Sequence, residues 1–405
     1  MTFKQRLALA AYTTALRLLV PAMLVRYWWR GRKEPGYRLA MRERLGFGPP
    51  QPPGAVWVHA VSLGETRASS ALVDALRARL PGMRLLLTHG TATGRDAGRA
   101  LMREGDTQAW LPLDTPGAVR RFLARRRPAI GVLMETEIWP ELLHATHSAG
   151  LTMVLANARL SERSARRGAR FAALMRPAAA AVTDVLAQTE DDAERLREAG
   201  AQRVALSGNL KFDVHPSPAL IARGRTWREA IGRPVVLAAI TREGEEELLL
   251  REWGRASGRN PFLIVVPRHP QRFDEVEALM KENGLRVARR SSWGEMPLYY
   301  GSADVALLGG SFMPLGGHNL IEAAACGCPI VMGPSTFNFA EAARQAVLAG
   351  AGWQEQDMGA AVRRALQVVN SELQTLGSSR AIAYAAMHRG AADRMAARIA
   401  ALVKR

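Results

Sequence analysis

Residues 55–89 read AVWVHAVSLGETRASSALVDALRARLPGMRLLLTH. A Val-rich apolar run, a stretch of helical composition and a second apolar run follow one another, which predicts strand, helix, strand. The alternation continues through PAIGVLMETE (128–137), LTMVLAN (151–157) and DVLAQT (184–189). A parallel sheet with helices on both faces is the economical packing of such a series. A second series begins at PVVLAAIT (234–241) and runs through PFLIVVPRHP (261–270), ADVALLGG (303–310) and CPIVMGP (328–334). The fold class is therefore α/β with two Rossmann-like domains. SGNLKFDVHPSP (207–218), rich in Gly, Pro and polar residues, separates the two series and is the expected linker, with a cleft opening there. The expected division is 1–48, a membrane-associated helix and basic segment; 49–206, the first domain; 207–218, the linker; 219–377, the second domain; and 378–405, a C-terminal helix.

Composition narrows the class. The 405 residues are 48% apolar and 23% charged, a globular mix. Cys326 and Cys328 are the two cysteines, with no second pair or His cluster nearby, so neither a disulfide framework nor a zinc site is supported. The net charge of +18, from 55 Lys and Arg against 37 Asp and Glu, calls for anionic partners. No zinc-finger, RRM-like or KH-like signature is present, so nucleic acid is not expected among them. Leu7 to Val25 is rich in Leu, Val and Ala but carries Arg17 and Pro21. A central Arg costs ~2.5–3.5 kcal/mol on insertion against ~0.3–0.6 returned by each Leu or Val. Arg6, Thr13 and Arg17 fall on one helical stripe and Leu9, Leu16, Val20 and Met23 on another, which predicts a helix lying in the membrane interface, the alternative being an amphipathic helix packed on its own domain. Trp28, Trp29, Arg26, Arg30, Arg32 and Lys33 add headgroup-level rings and cations suited to anionic lipid.

Ligands gather at the carboxyl ends of parallel strands, so residues just beyond each apolar run carry the information. Ser62-Leu63-Gly64-Glu65 opens the first helix. Ser62 and Glu65 have capping-box spacing, in which Glu65 merely satisfies the Ser62 N–H; equally, the position sets a carboxylate beside the ligand. Glu135 and Glu137 end the next run and share a face if the strand stays extended. There they raise each other's pKa, orient a base or stabilise positive charge, unless one caps the following helix. Arg268 and His269 follow VVP, and Arg272 lies just beyond, either with a phosphate or in a solvated basic loop. Gly309, Gly310, Gly316 and Gly317 precede a helix starting near Asn319, where backbone donors suit a phosphate; Glu322 completes that cap or holds ribose hydroxyls. No GxxxxGK[ST], strand-coupled GxGxxG, HExxH or GxSxG occurs, which removes support from kinase, dehydrogenase, zinc-peptidase and esterase readings.

HAVSLGE, METEIWP, ANARLS, GNLKFD, VVPRHPQRF, GGSFMPLGGHNLIE and MGPSTFNF together resemble the 3-deoxy-D-manno-octulosonic acid (Kdo) transferases of lipopolysaccharide biosynthesis, in order and over nearly the whole chain. RYWWRGRKEPGYRLAMRERLGF is similar to that family's membrane-proximal opening. The resemblance implies a GT-B glycosyltransferase, inverting, independent of metal and without a cofactor, moving Kdo from CMP-Kdo to the lipid A precursor lipid IVA at the cytoplasmic face of the inner membrane. By it, Glu65 is the general base, Glu135 the acid that stabilises the transition state and Lys211 a further cation of the catalytic site. The CMP-binding positions it implies are Pro267, Arg268, Gly294, Glu295, Asn319, Leu320, Ile321 and Glu322. The chain departs from the family at the shortened Arg289 to Trp293, at Arg242 after Thr241, and at Ala323 after Glu322. The alternatives are another GT-B nucleotide-sugar transferase or an epimerase, and a basic membrane-surface or nucleic-acid-binding protein without turnover.

Overall fold

The computed structural model describes residues 1–213, 216–256, 261–285 and 295–403. They divide into two units, Met1–Asp213 with Arg389–Arg405, and Val214–His388.

In the first unit, seven strands among the described residues form a parallel sheet in the order β3-β2-β1-β4-β5-β6-β7. They are β1 (Val56–His59), β2 (Leu85–His89), β3 (Thr107–Trp110), β4 (Ile130–Met134), β5 (Met153–Ala158), β6 (Asp184–Ala187) and β7 (Val204–Leu206). Val56, Val58, Leu85, Leu87, Val132 and Met134 pack on one face with Leu72, Val73 and Leu76 of the helix Leu63–Arg79. Trp57, Leu86, Leu133 and Leu155 pack on the other with Phe122, Leu142 and Leu143. Both faces are covered, which is why the strands read as continuous apolar runs. The strand order reverses between β1 and β4, and ligands bind at such a switch point, beyond the carboxyl ends.

The second unit has, among the described residues, a five-stranded parallel sheet in the order β12-β11-β10-β8-β9. These are β8 (Val235–Thr241), β9 (Phe262–Pro267), β10 (Val305–Leu308), β11 (Ile330–Met332) and β12 (Gly352–Gln354). Its switch point lies between β8 and β10.

Three expectations are corrected. The stretch 207–218 is not wholly a loose linker: Leu210, Phe212 and Asp213 are buried in the first unit. The Asp213 carboxylate accepts the Gly390 and Ala392 N–H groups, both at 2.5 Å. The 378–405 stretch is not one helix but parts of two, Leu373–Met387 and Ala391–Val403, because Gly390 takes φ 87°, which ends the helical path. The second packs its Met395, Ala396 and Ile399 into the first unit's core.

The third correction concerns the N-terminal helix Phe3–Arg30, started by a capping box between Thr2 and Gln5. At 28 residues it runs about 42 Å, and it is long and apolar enough to cross a membrane by length and composition. The stripe expected to enter lipid, Leu9, Leu16, Val20 and Met23, is half-buried instead. Thr13 is the buried residue of the helix and donates its hydroxyl to Glu141, while Tyr12 donates to Asp114 at 2.8 Å. Phe3 (82% exposed), Leu7, Leu18 (77%), Leu19 and Val25 face outward. Apolar side chains thus lie on both sides of the helix, one set half-buried with Tyr12 and Thr13 and another exposed, whereas an ordinary surface helix keeps its apolar residues on one face.

Candidate active site

At the first switch point, β1 runs into Ser62, whose hydroxyl accepts the Glu65 N–H at 3.4 Å and starts the helix. The Glu65 carboxylate accepts from the Val61 N–H (2.8 Å) and the Ser62 hydroxyl (2.8 Å). The Ser62 cap foreseen from spacing is present, but the Glu65 carboxylate turns to the Val61 N–H and the Ser62 hydroxyl, and burial still raises it above the ordinary range against its hydrogen bonds, with the Glu135 charge adding to the rise. A carboxylate so placed holds a proton more tightly than a solvated one.

β4 does not stay extended into its acids. Glu135 takes φ 60°, with its N–H on the Ala156 carbonyl at 2.9 Å, so the shared strand face expected for Glu135 and Glu137 does not form. A non-glycine residue in the left-handed region stores strain of order 1–3 kcal/mol, a pattern that concentrates at functional sites. The turn nevertheless keeps both acids within electrostatic reach of Glu65. The Glu137 carboxyl is pushed up to about 7, by burial first, then by Glu65 and Glu135.

Lys211 joins them from the turn Leu210–Asp213. Burial lowers its ammonium pKa, while Glu135 and Glu65 oppose that and Arg159 reinforces it. Four polar residues position this turn or share its field, and sequence reasoning gave none of them a role. Asn157, fully buried at φ 53°, accepts the Leu210 N–H at 3.0 Å. Gln188 donates to the Asn157 carbonyl (2.9 Å) and accepts from Asn209 (2.9 Å), whose own Oδ1 accepts the Lys211 N–H (2.9 Å). The signal was at hand for three of them, since ANARLS carries Asn157 and Arg159 and GNLKFD carries Asn209.

In the second unit, Ile240, the penultimate residue of β8, takes φ 60°, and Gly309 approaches so closely that a Cβ there would meet the Ile240 carbonyl oxygen at 2.3 Å. Glu245, fully buried, accepts the N–H groups of Arg242 (2.9 Å), Gly310 (2.7 Å) and Phe312 (3.0 Å), so one carboxylate ties the β8 end to the glycine turn after β10. The Arg268 N–H is held by the Thr241 carbonyl at 2.9 Å, just beyond Pro267, the last residue of β9. His318 is held down to about 4 by burial, then by Arg268, Arg242 and His269. The carboxyl ends of β8, β9 and β10 thus gather cations around a glycine-rich turn, a field suited to phosphate.

Asn319 caps the helix Leu320–Ala325, accepting the Ile321 N–H at 3.1 Å. Leu320 and Ile321 have buried side chains, so what they offer a ligand is backbone. Glu322 lies in the first turn, with its charge felt by Tyr300 and Cys326. Glu295 precedes the helix Met296–Gly301. Gly294 and the segment from Arg289 to Trp293 lie outside the described residues. Arg272 is neither solvated nor open to phosphate: it is 8% exposed and paired with Glu246 (2.8 Å) and Glu275 (2.8 Å). Among the described residues no three or more His, Cys, Asp or Glu side chains are grouped to hold a metal ion.

Comparison with known proteins decides which chemistry this scaffold serves. The family model described as 3-Deoxy-D-manno-octulosonic-acid transferase (kdotransferase) matches residues 40–214. A 3-deoxy-D-manno-octulosonic acid transferase of Bordetella pertussis is 45% identical, over 95% of this chain and 96% of its own. The chain belongs to the Kdo transferase family. A second such transferase, from Haemophilus influenzae, is 33% identical over 83% of this chain and 84% of its own. Among solved structures, a glycosyltransferase from Rickettsia africae ESF-5 superposes with a TM-score of 0.60 at 12% identity, covering 87% of this chain and 99% of its own. Anabaena HepE, solved with UDP, gives 0.57 at 14% identity over 85% and 99%. Those two establish the architecture, GT-B-like, and the sequence relatives establish that this Kdo transferase is a glycosyltransferase.

Proposed function

We propose that the enzyme transfers Kdo from CMP-Kdo to the lipid A precursor lipid IVA, with inversion and without a metal, in lipopolysaccharide biosynthesis at the cytoplasmic face of the inner membrane. The observation that carries the reading is the Glu65 carboxylate at the first switch point, electrostatically coupled to Glu135 and Lys211. Glu65 takes the proton from an acceptor hydroxyl, whose oxygen attacks the anomeric carbon of Kdo as CMP leaves from the opposite face. Glu135 stabilises positive charge developing on the sugar, and Lys211 balances the acids. Negative charge growing on the leaving phosphate meets Arg268, with the glycine turn and the Asn319 helix start supplying backbone donors. The CMP positions are Pro267, Arg268, Gly294, Glu295, Asn319, Leu320, Ile321 and Glu322. Cations of the chain do the work a metal does in other transferases.

The test is turnover of CMP-Kdo, generated in situ, with tetra-acylated lipid A precursor, in the presence and absence of EDTA. Transfer to the lipid unchanged by EDTA is expected; loss of activity restored by magnesium would overturn the metal-free mechanism, and absence of transfer would overturn the substrate pair.

The outward apolar residues of the N-terminal helix support contact with the bilayer, and the cations Arg26, Arg30, Arg32 and Lys33 beside them support anionic lipid. Deleting the helix would strip Asp114 and Glu141 of their Tyr12 and Thr13 partners, so substitution is the cleaner probe. Leu7, Leu18, Leu19 and Val25 changed together to Ser should reduce sedimentation with anionic vesicles by at least about tenfold, since each buried CH₂ contributes ~0.8 kcal/mol. Sedimentation equal to the parent chain would reject the anchor.

A further inference from the structure

Directly behind the acidic cluster lies a buried imidazole to which the proposed reaction gives no task. His59, wholly buried at the end of β1, has Nδ1 3.1 Å from the Thr88 carbonyl oxygen and 2.9 Å from the Thr88 hydroxyl. That hydroxyl oxygen also accepts the Trp57 indole N–H at 2.8 Å. Nε2 has no hydrogen-bond partner, and Glu137 Oε2 stands 4.0 Å from it. At that separation the two groups face each other without a hydrogen bond. Burial, with His89 behind it, holds the His59 ring down to about 3, so it is neutral near pH 7.

A neutral ring can meet Glu137 in two ways. If Glu137 is protonated, its O–H donates to Nε2 and the Nδ1–H donates to the Thr88 carbonyl. If Glu137 is ionised, Nε2–H donates to the carboxylate and Nδ1 accepts the Thr88 hydroxyl. The two states differ by one proton, exchanged with solvent. The charged and titratable groups acting on the pair are Glu65 from the helix Leu63–Arg79, Glu135 at the end of β4, and His89 on β2 with Arg95 beyond it; Lys211, with Arg159 acting on it, couples to Glu65 and Glu135 in turn.

We infer that Glu137 is a positioning residue for Glu65: as a neutral acid bonded to His59 Nε2 it adds no negative charge beside Glu65, and on ionising it repels the Glu65 carboxylate. The inference rests on the reading of Glu65 as the base. Crowding three carboxylates into a partly buried site protonates the one that loses least, and Glu137 has a waiting acceptor. Burial and the Glu65 charge set its changeover at about 7, neutral below and ionised above, so turnover falls on the alkaline side as the neutral form disappears.

The experiment uses the full chain labelled with ¹⁵N-histidine, titrated alongside turnover with CMP-Kdo and lipid acceptor. In the parent, the His59 ring passes from the Nδ1–H to the Nε2–H tautomer as pH rises through neutrality, together with the alkaline decline of turnover. Glu137→Gln, whose amide donates permanently to Nε2, fixes the Nδ1–H form and removes that decline. Glu137→Ala, which leaves Nε2 unpaired, turns over about tenfold more slowly at every pH and is not rescued by acid. In Glu65→Gln the tautomer change persists but moves to lower pH, because a neighbouring negative charge is gone; this arm reports on the pair whether or not Glu65 is the base. A His59 tautomer that ignores Glu137, or Gln and Ala variants with the same pH profile, overturns the proposal.

Discussion

Glu65→Gln lowers Kdo transfer by about 10²–10⁴-fold, the usual contribution of a general base, while the thermal melt and CMP binding stay near those of the parent. The local geometry makes the substitution mild for the fold. Glu65 accepts two hydrogen bonds, from the Val61 N–H and the Ser62 hydroxyl. The Gln carbonyl can keep the first, and the Ser62 hydroxyl can reverse to accept from the amide, so the structural cost stays near ~1 kcal/mol. A side chain that only capped the helix would therefore leave turnover within a few-fold of the parent. Turnover on purified protein, a melt and a CMP-binding isotherm on the same preparation separate the cases: near-parental transfer rejects Glu65 as the base, and a collapsed melt reveals a structural role, leaving Glu135 as the next acid to test.

The largest effect on stability should come from Glu245→Ala in the second unit. Its carboxylate accepts three backbone N–H groups, those of Arg242, Gly310 and Phe312, inside a site it shares with the buried ion pair of Glu246 and Arg272. Each unsatisfied buried donor costs ~1–3 kcal/mol, so even with water entering the cavity a loss of about 3–5 kcal/mol is expected. Burial raises the Glu245 carboxyl, so part of its hydrogen-bond energy already offsets desolvation, which is why the lower end of that range is the firmer figure. Glu245→Gln should fall between, because its amide nitrogen faces a donor. Denaturant unfolding followed at Trp253, which lies on the same helix as Glu245 and packs in the second unit's core, reads the change. A shift under 1 kcal/mol would show that the glycine turn is held by other means.

Sequence and structure agree most closely where a single physical cause acts over a short range. Unbroken apolar runs between helical stretches become buried parallel strands because both faces of each sheet are covered, and the residues beyond β1, β4, β8 and β10 stand at the two switch points because the strand order reverses there. Ser62 and Asn319 start their helices because a side-chain oxygen two or three residues ahead of free N–H groups needs no distant partner.

Prediction failed where the deciding partner was far along the chain. Arg272 looked like a loop cation until Glu246, 26 residues away, was folded against it. The Leu9, Leu16, Val20 and Met23 stripe looked lipid-facing until Asp114 and Glu141 drew Tyr12 and Thr13 toward the protein. The left-handed turn at Glu135 carries no signature, since a Glu there is paid for by the Ala156 hydrogen bond on the neighbouring strand.

By itself, then, the sequence determined two α/β units, the identity of the acids and cations at their strand ends, and membership of the Kdo transferase family, because these rest on periodicity, local capping and motif order. Only the tertiary structure decided that Glu65, Glu135, Glu137 and Lys211 share one electrostatic field, that His59 lies beneath them with one nitrogen unpaired, and that the last helix returns to complete the first unit's core. Burial and through-space charge depend on which distant segments the fold brings together, and no local pattern encodes that distance.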